Sequence, residues 1–182
     1  MRLAAALLLI AAFLAGCSTT RRSDEPNPGP CPNVFALEEA SRFVEFNGDE
    51  RSLETVAFSG EIKDVRISCR YFSDVPIRNE IEIDFEIGRG PAAEEAVYDL
   101  TYFVAVTRTD RDLIAKEEFT VPVRFRRNER IISVQEEIKR VVIPRRGEEV
   151  SGSNFEVAVG FALTRRQTIF NRAGVSLKFP EA

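Results

Sequence analysis

The chain has 182 residues, with 25 Lys and Arg against 29 Asp and Glu and a formal net charge of −4. That mild acidity gives no reason to expect nucleic acid as a partner, and the length suits one domain with a sizeable core. There is no histidine, which removes Ser-His-Asp and Cys-His nucleophile pairs and any His-containing zinc site.

Met1-Arg2 forms a short positive start, and residues 3–13 form an unbroken apolar run of Leu, Ala, Ile and Phe. This is the anatomy of a secretory signal peptide. The run is too short to span the roughly 30 Å hydrocarbon core, which needs ~20 apolar residues. Small residues follow, ending in Leu14-Ala15-Gly16-Cys17. A plain leader cut at an Ala-Ala or Ala-Gly bond, or an uncleaved anchor, are the simpler alternatives. The tetrapeptide, however, resembles the bacterial lipobox. That resemblance implies that residues 1–16 are removed and that Cys17 becomes the acylated first residue, anchoring the chain in the membrane. With two or more acyl chains such an anchor is durable. Ser18 at the next position implies sorting to the outer membrane, with the domain facing the periplasm.

Three cysteines occur. With Cys17 lipidated, Cys31 and Cys69 remain as an even pair in an oxidising compartment, and a disulfide between them is expected. Chain-entropy reasoning values it at roughly 4 kcal/mol, an upper-end figure. Two buried free thiols are the alternative. Residues 17–30 hold no apolar side chain able to join a core, and their Pro and Gly block regular structure. They read as a lipid-anchored tether before a single domain at residues 31–182.

Within that domain, residues 34–37 are a candidate first strand, followed by a helical turn or a continued edge at 38–42. Asn47-Gly48-Asp49 is a turn. From Leu53 the chain alternates, but Val56, Phe58, Gly60 and Ile62 share one parity and Val65, Ile67, Cys69 and Tyr71 the other. One long strand therefore needs a bulge at Lys63-Asp64, or else the chain changes sheet. Residues 77–87 give the cleanest signal. Ile77, Ile81, Ile83, Phe85 and Ile87 alternate with Arg78, Glu80, Glu82, Asp84 and Glu86, a strand with one apolar and one charged face. The carboxylates could offer a cation site, but same-face neighbours stand ~7 Å apart along a strand. Pairing with Arg or Lys across the sheet is the expectation.

Gly88 to Pro91 is a turn that lacks the ending of a phosphate loop, and residues 92–96 suggest one helical turn. Residues 97–108 are apolar on both parities, as in a central strand. Residues 113–126 alternate again, and Pro122 places that strand at an edge, where another chain could add a strand. Arg124, Arg126, Arg127 and Arg130 surround a turn at Asn128 and form the densest basic patch. It is a candidate interaction surface for lipid headgroups, an acidic glycan or an acidic protein, or else a charged loop that keeps the sheet end soluble. Residues 131–143 are ambiguous: Gln135 to Arg140 could be helical, but β-branched residues dominate and Ile132, Val134, Ile138 and Val142 share one parity, so the stretch reads as strand. Phe155 to Leu163 make a clear strand, Thr164 caps a helical turn through Phe170, and residues 175–179 suggest a last short strand.

Seven or eight strands with little helix point to an all-β fold, an antiparallel β-sandwich. An immunoglobulin-like arrangement is the first choice, without the antibody Cys-Trp-Cys pattern, and a small closed β-barrel the second. No Gly-x-Ser-x-Gly elbow or Ser-x-x-Lys signature occurs, and no cofactor, metal or catalytic set is expected. A periplasmic glycan hydrolase, needing only two placed acids such as Glu94 and Glu95, is the alternative.

The lipobox, Cys31-Pro32, Ala40-Ser41-Arg42-Phe43, Arg89-Gly90-Pro91-Ala92-Ala93, Tyr102-Phe103-Val104-Ala105-Val106, Ala115-Lys116-Glu117-Glu118-Phe119 and Val159-Gly160-Phe161-Ala162-Leu163 with Asn171-Arg172 together resemble a group of uncharacterised lipoproteins of Gram-negative bacteria, of alphaproteobacterial type. The resemblance covers most of the mature domain. It implies an envelope location and a single domain, and it brings no site residues. The function expected is that of a non-enzymatic binding or structural module, with a protein or a cell-wall component as partner.

Overall fold

The structure is a computed structural model that describes residues 29–109 and 112–176. The expected leader, Cys17 and most of the expected tether lie outside the described residues, as does most of the last expected strand. The described chain forms β1 (Asn33–Ala36), β2 (Arg42–Phe46), β3 (Val56–Arg70), β4 (Ile77–Arg89), β5 (Val97–Arg108), β6 (Leu113–Arg124), β7 (Ile131–Ile143), β8 (Phe155–Phe161) and a single described helix, α1 (Arg165–Arg172). They build two four-stranded sheets, ordered β1-β8-β5-β6 and β2-β3-β4-β7. All pairings are antiparallel except that of β1 with β8.

This is an all-β sandwich, and its two separate sheets do not close into a barrel. The strand order differs from the immunoglobulin-like arrangement expected. Three consecutive strands meander through one sheet, whereas antibody-type sandwiches alternate early and late strands between sheets.

The sheets meet through the apolar face of β4. Ile81, Ile83 and Ile87 are fully buried there. Phe85 reaches across to Tyr102 of β5 and Phe161 of β8, with ring centroids 5.0 and 5.6 Å away. Full burial of one such side chain contributes ~1.5–3 kcal/mol, so this face of β4 is the main ridge of the core.

The outer face of β4 carries the expected carboxylates, and two of them, Glu82 and Asp84, are paired across the sheet. Arg66 of β3 binds Asp84 at 2.8 Å and Glu82 at 3.1 Å, and also Asp64. The Arg66 guanidinium holds the Asp84 carboxyl below its ordinary range.

β3 is one continuous strand, and its register shifts between Ile62 and Asp64, leaving Lys63 as the extra residue. β6 lies at a sheet edge, with Pro122 opposite Asp99. β7 is strand throughout, but the expected parity fails at Val142. Asn79 pairs with Val141 and Ile81 with Ile138, so both Lys139 and Arg140 stand against Glu80. This bulge turns Val141 inward and Val142 outward. Asn79, 1% exposed, sits at the bulge and donates its side-chain amide to the Val141 carbonyl at 3.0 Å. A second departure is at residues 92–96, where no helical turn forms. Gly90 and Ala92 instead donate backbone bonds to Ala57 and Val56, which fastens the connection to β3.

The cystine joins Cys31 to Cys69 with Cα atoms 5.6 Å apart. Around it the loops are closely fastened. The Tyr71 hydroxyl donates to the Pro30 carbonyl at 2.8 Å and accepts from the Gly152 N–H at 3.1 Å. A Cβ on Gly152 would lie 2.2 Å from the Pro30 oxygen, so only glycine admits this approach. Arg145 stacks on Tyr71 at 4.8 Å. It donates to the carbonyls of Phe72, Ser73, Val75, Glu148 and Val150.

Candidate functional site

The opposite end of the sandwich is open. β3 runs from Val56, paired with Phe46, to Cys69, paired with Asn79. At ~3.3 Å per residue these points are roughly 40 Å apart. At the Val56 end, β2, the start of β5 and the β8-to-α1 connection enclose a cleft of about 500 Å³, within the range of small-ligand pockets.

Alternation within β2 makes the cleft two-sided. Phe43 points into the core, stacked on Tyr98 at 5.4 Å and edge-on to Phe161 at 4.9 Å. Val44 points the other way, against Phe170 of α1, and Phe46 meets the same ring at 5.6 Å. α1 is held in place by its own sequence. Thr164 and Gln167 form a reciprocal capping box, which satisfies N–H groups left open at a helix start. Asn171 donates its side-chain amide to the Glu39 and Arg42 carbonyls at 3.0 and 2.7 Å, and Arg172 pairs with Glu39 at 2.8 Å.

The result is an aromatic floor with charge at its rim. Tyr98 donates its hydroxyl to Glu45. Burial, reinforced by that carboxylate, pushes the phenol well above its ordinary value. Asp49 and Arg166 face each other across the mouth at 3.5 Å, both exposed. The Arg51 guanidinium lies 5.2 Å over the Phe170 ring. Flat apolar surface flanked by hydrogen-bonding groups of both signs suits a ligand with one apolar face and several polar substituents.

The residues singled out from the sequence lie elsewhere. Arg124, Arg126, Arg127 and Arg130 are all exposed around the β6–β7 turn, where Asn128 takes a left-handed φ of 67°. The turn is closed by Glu129, whose carboxylate accepts from the Arg126 N–H at 2.9 Å. The structure brings the four arginines to one end of the sandwich without joining them to the cleft. Glu94 and Glu95 are exposed in the β4–β5 connection, and Glu94 accepts from Asn47 at 3.0 Å. Neither lines the cleft. The cleft's own polar residues were missed. They come from separate segments, and only the Asn47-Gly48-Asp49 turn and the cap at Thr164 gave a local signal.

Comparison with models of protein families, with curated proteins and with solved structures finds no match for the chain.

Proposed function

We propose that the chain is a lipid-anchored module of a Gram-negative cell envelope. Cys17 carries the acyl chains, residues 18–30 hold the domain off the membrane, and the sandwich binds an envelope protein or a cell-wall component in the periplasm without transforming it. Ser18 favours the outer membrane. One observation carries this reading: the aromatic cleft opens at the end of the sandwich remote from Pro30 and Cys31. A module tethered at Cys31 would present that cleft away from its anchor.

Intact mass of the protein from fractionated membranes, with and without reduction, tests the anchor. The expected mass begins at Cys17 with added lipid, and reduction adds two hydrogens. A lipid-free mass or a retained leader would sink the reading. The binding half is tested with a photo-crosslinking residue at Gln167, on the cleft rim, and another at Glu82, on the outer face of β4. The rim position alone should trap one envelope component reproducibly. Turnover of purified peptidoglycan that Glu94→Gln abolishes would favour the hydrolase reading instead.

A further inference from the structure

The Cys31 end carries a surface that the cleft does not explain. On the outer face of β3 and β4, Arg70 and Arg78 stand directly opposite one another, and both are exposed. Like charges placed opposite across a ladder oppose its pairing. The β7 bulge adds to them, because it turns two consecutive basic side chains, Lys139 and Arg140, to the same outer face. Bulges re-aim side chains in this way.

These residues line a concavity of about 900 Å³. One carboxylate, Glu80, shares it, and Lys139 also reaches Glu137 at 3.3 Å. In the middle stands Val142, 49% exposed and opposite Arg78. At the same end of the sandwich the β6 edge shows Leu113, 62% exposed.

Basic side chains around exposed apolar ones are the composition of a surface that rests on anionic lipid. The chain as a whole is acidic, and of two exposed basic clusters among the described residues this one lies at the Cys31 end, whereas Arg124, Arg126, Arg127 and Arg130 lie at the opposite end of β7. The location agrees. Thirteen residues, 18–30, separate Cys17 from Cys31, and a random chain of that length in general spans roughly 20 Å. A domain on so short a lead meets the membrane repeatedly.

We propose that this basic concavity docks the domain on the anionic phospholipid headgroups of the membrane that holds its anchor. Docking fixes the cleft end outward. The inference rests on the lipid-anchor reading, and each basic contact should strengthen docking by about fivefold.

The chain has no tryptophan, so one introduced indole is a unique reporter. V142W places it in the concavity. I131W places it at the other end of β7, on a residue that is also exposed. The lipidated full chain would be reconstituted in vesicles of phosphatidylcholine alone or with phosphatidylglycerol, each containing lipid spin-labelled at the headgroup. V142W should be quenched severalfold more on phosphatidylglycerol vesicles than on phosphatidylcholine, and I131W should not. R78E/K139E/R140E should remove the difference. Quenching of V142W that ignores vesicle charge, in protein of lipidated mass, overturns the docking surface and leaves the anchor standing. A lipid-free mass with charge-dependent quenching of V142W retained sinks the anchor and supports the surface. If V142W does not fold, hydrogen exchange of the unsubstituted chain decides. Protection of residues 139–143 on phosphatidylglycerol vesicles supports docking, and equal exchange on both vesicle types overturns it.

Discussion

The two ends of this sandwich are made from the same strands and are fastened by different means. At the Cys31 end a cystine, a phenol bridging two loops and a guanidinium reaching five carbonyls close the space between the sheets. At the other end a two-turn helix is hung on an edge strand by a capping box and one asparagine, and a cleft remains. A strong cross-link removes freedom and leaves no room; capping and packing hold an element while leaving a cavity beside it. Position is fixed at one end of the sandwich, and space is kept at the other.

The difference can be broken from the Cys31 end first. Replacing both Cys31 and Cys69 by Ala should cost about 2–5 kcal/mol, read as a lower midpoint in urea with the transition still cooperative. Arg145→Met should follow at about 2 kcal/mol, because backbone carbonyls lose a charged donor. Hydrogen exchange should quicken in residues 71–76 and 144–154 and stay unchanged in α1. Thr164→Ala should cost about 1 kcal/mol and do the reverse, loosening α1 and the cleft while the Cys31 end holds. An Arg145→Met variant that frays α1 would show the two ends to be one unit.

The smallest effect sharpens the comparison through pH. Burial pushes Tyr98 above its ordinary value. It pushes Tyr102 up to about 12, with Glu136 adding to the shift. Groups raised above an unfolded value of about 10 stabilise the fold fully below that pH, and the contribution is lost as pH rises through their folded values. Stability should therefore decline above about pH 10, and Tyr98→Phe should weaken that decline. An unaltered alkaline profile in the variant would show that ionisation of the buried Tyr98 phenol does not govern the decline.

Much of the fold was legible because strands write their burial in period two. The ridge of β4, the extra residue at Lys63 and the edge position of Pro122 follow from alternation and from proline's missing donor. The β7 bulge carried the same kind of signal as Lys63, two polar residues between apolar ones. Val142 concealed it, because an apolar residue on an outer face reads as part of the core set. The pairing of Cys31 with Cys69 was legible once Cys17 was set aside as the expected lipid site, which left an even pair. The cleft was not legible. Glu45, Tyr98, Arg166 and Phe170 are brought together only when β2, β5 and α1 meet at one corner, and no local pattern announces that Glu45 will face Tyr98.

The cystine also decides how the domain would bear a pull. β1 has four residues and pairs with β8 alone. Traction from the N-terminal side, applied to β1, would be borne by only four residue pairs with β8. Cys31 precedes β1, and the sulfur bridge passes the load to Cys69 at the end of β3. There it meets the longest antiparallel ladders of the molecule and must shear them along their length. The weakest strand is thereby taken out of the line of force.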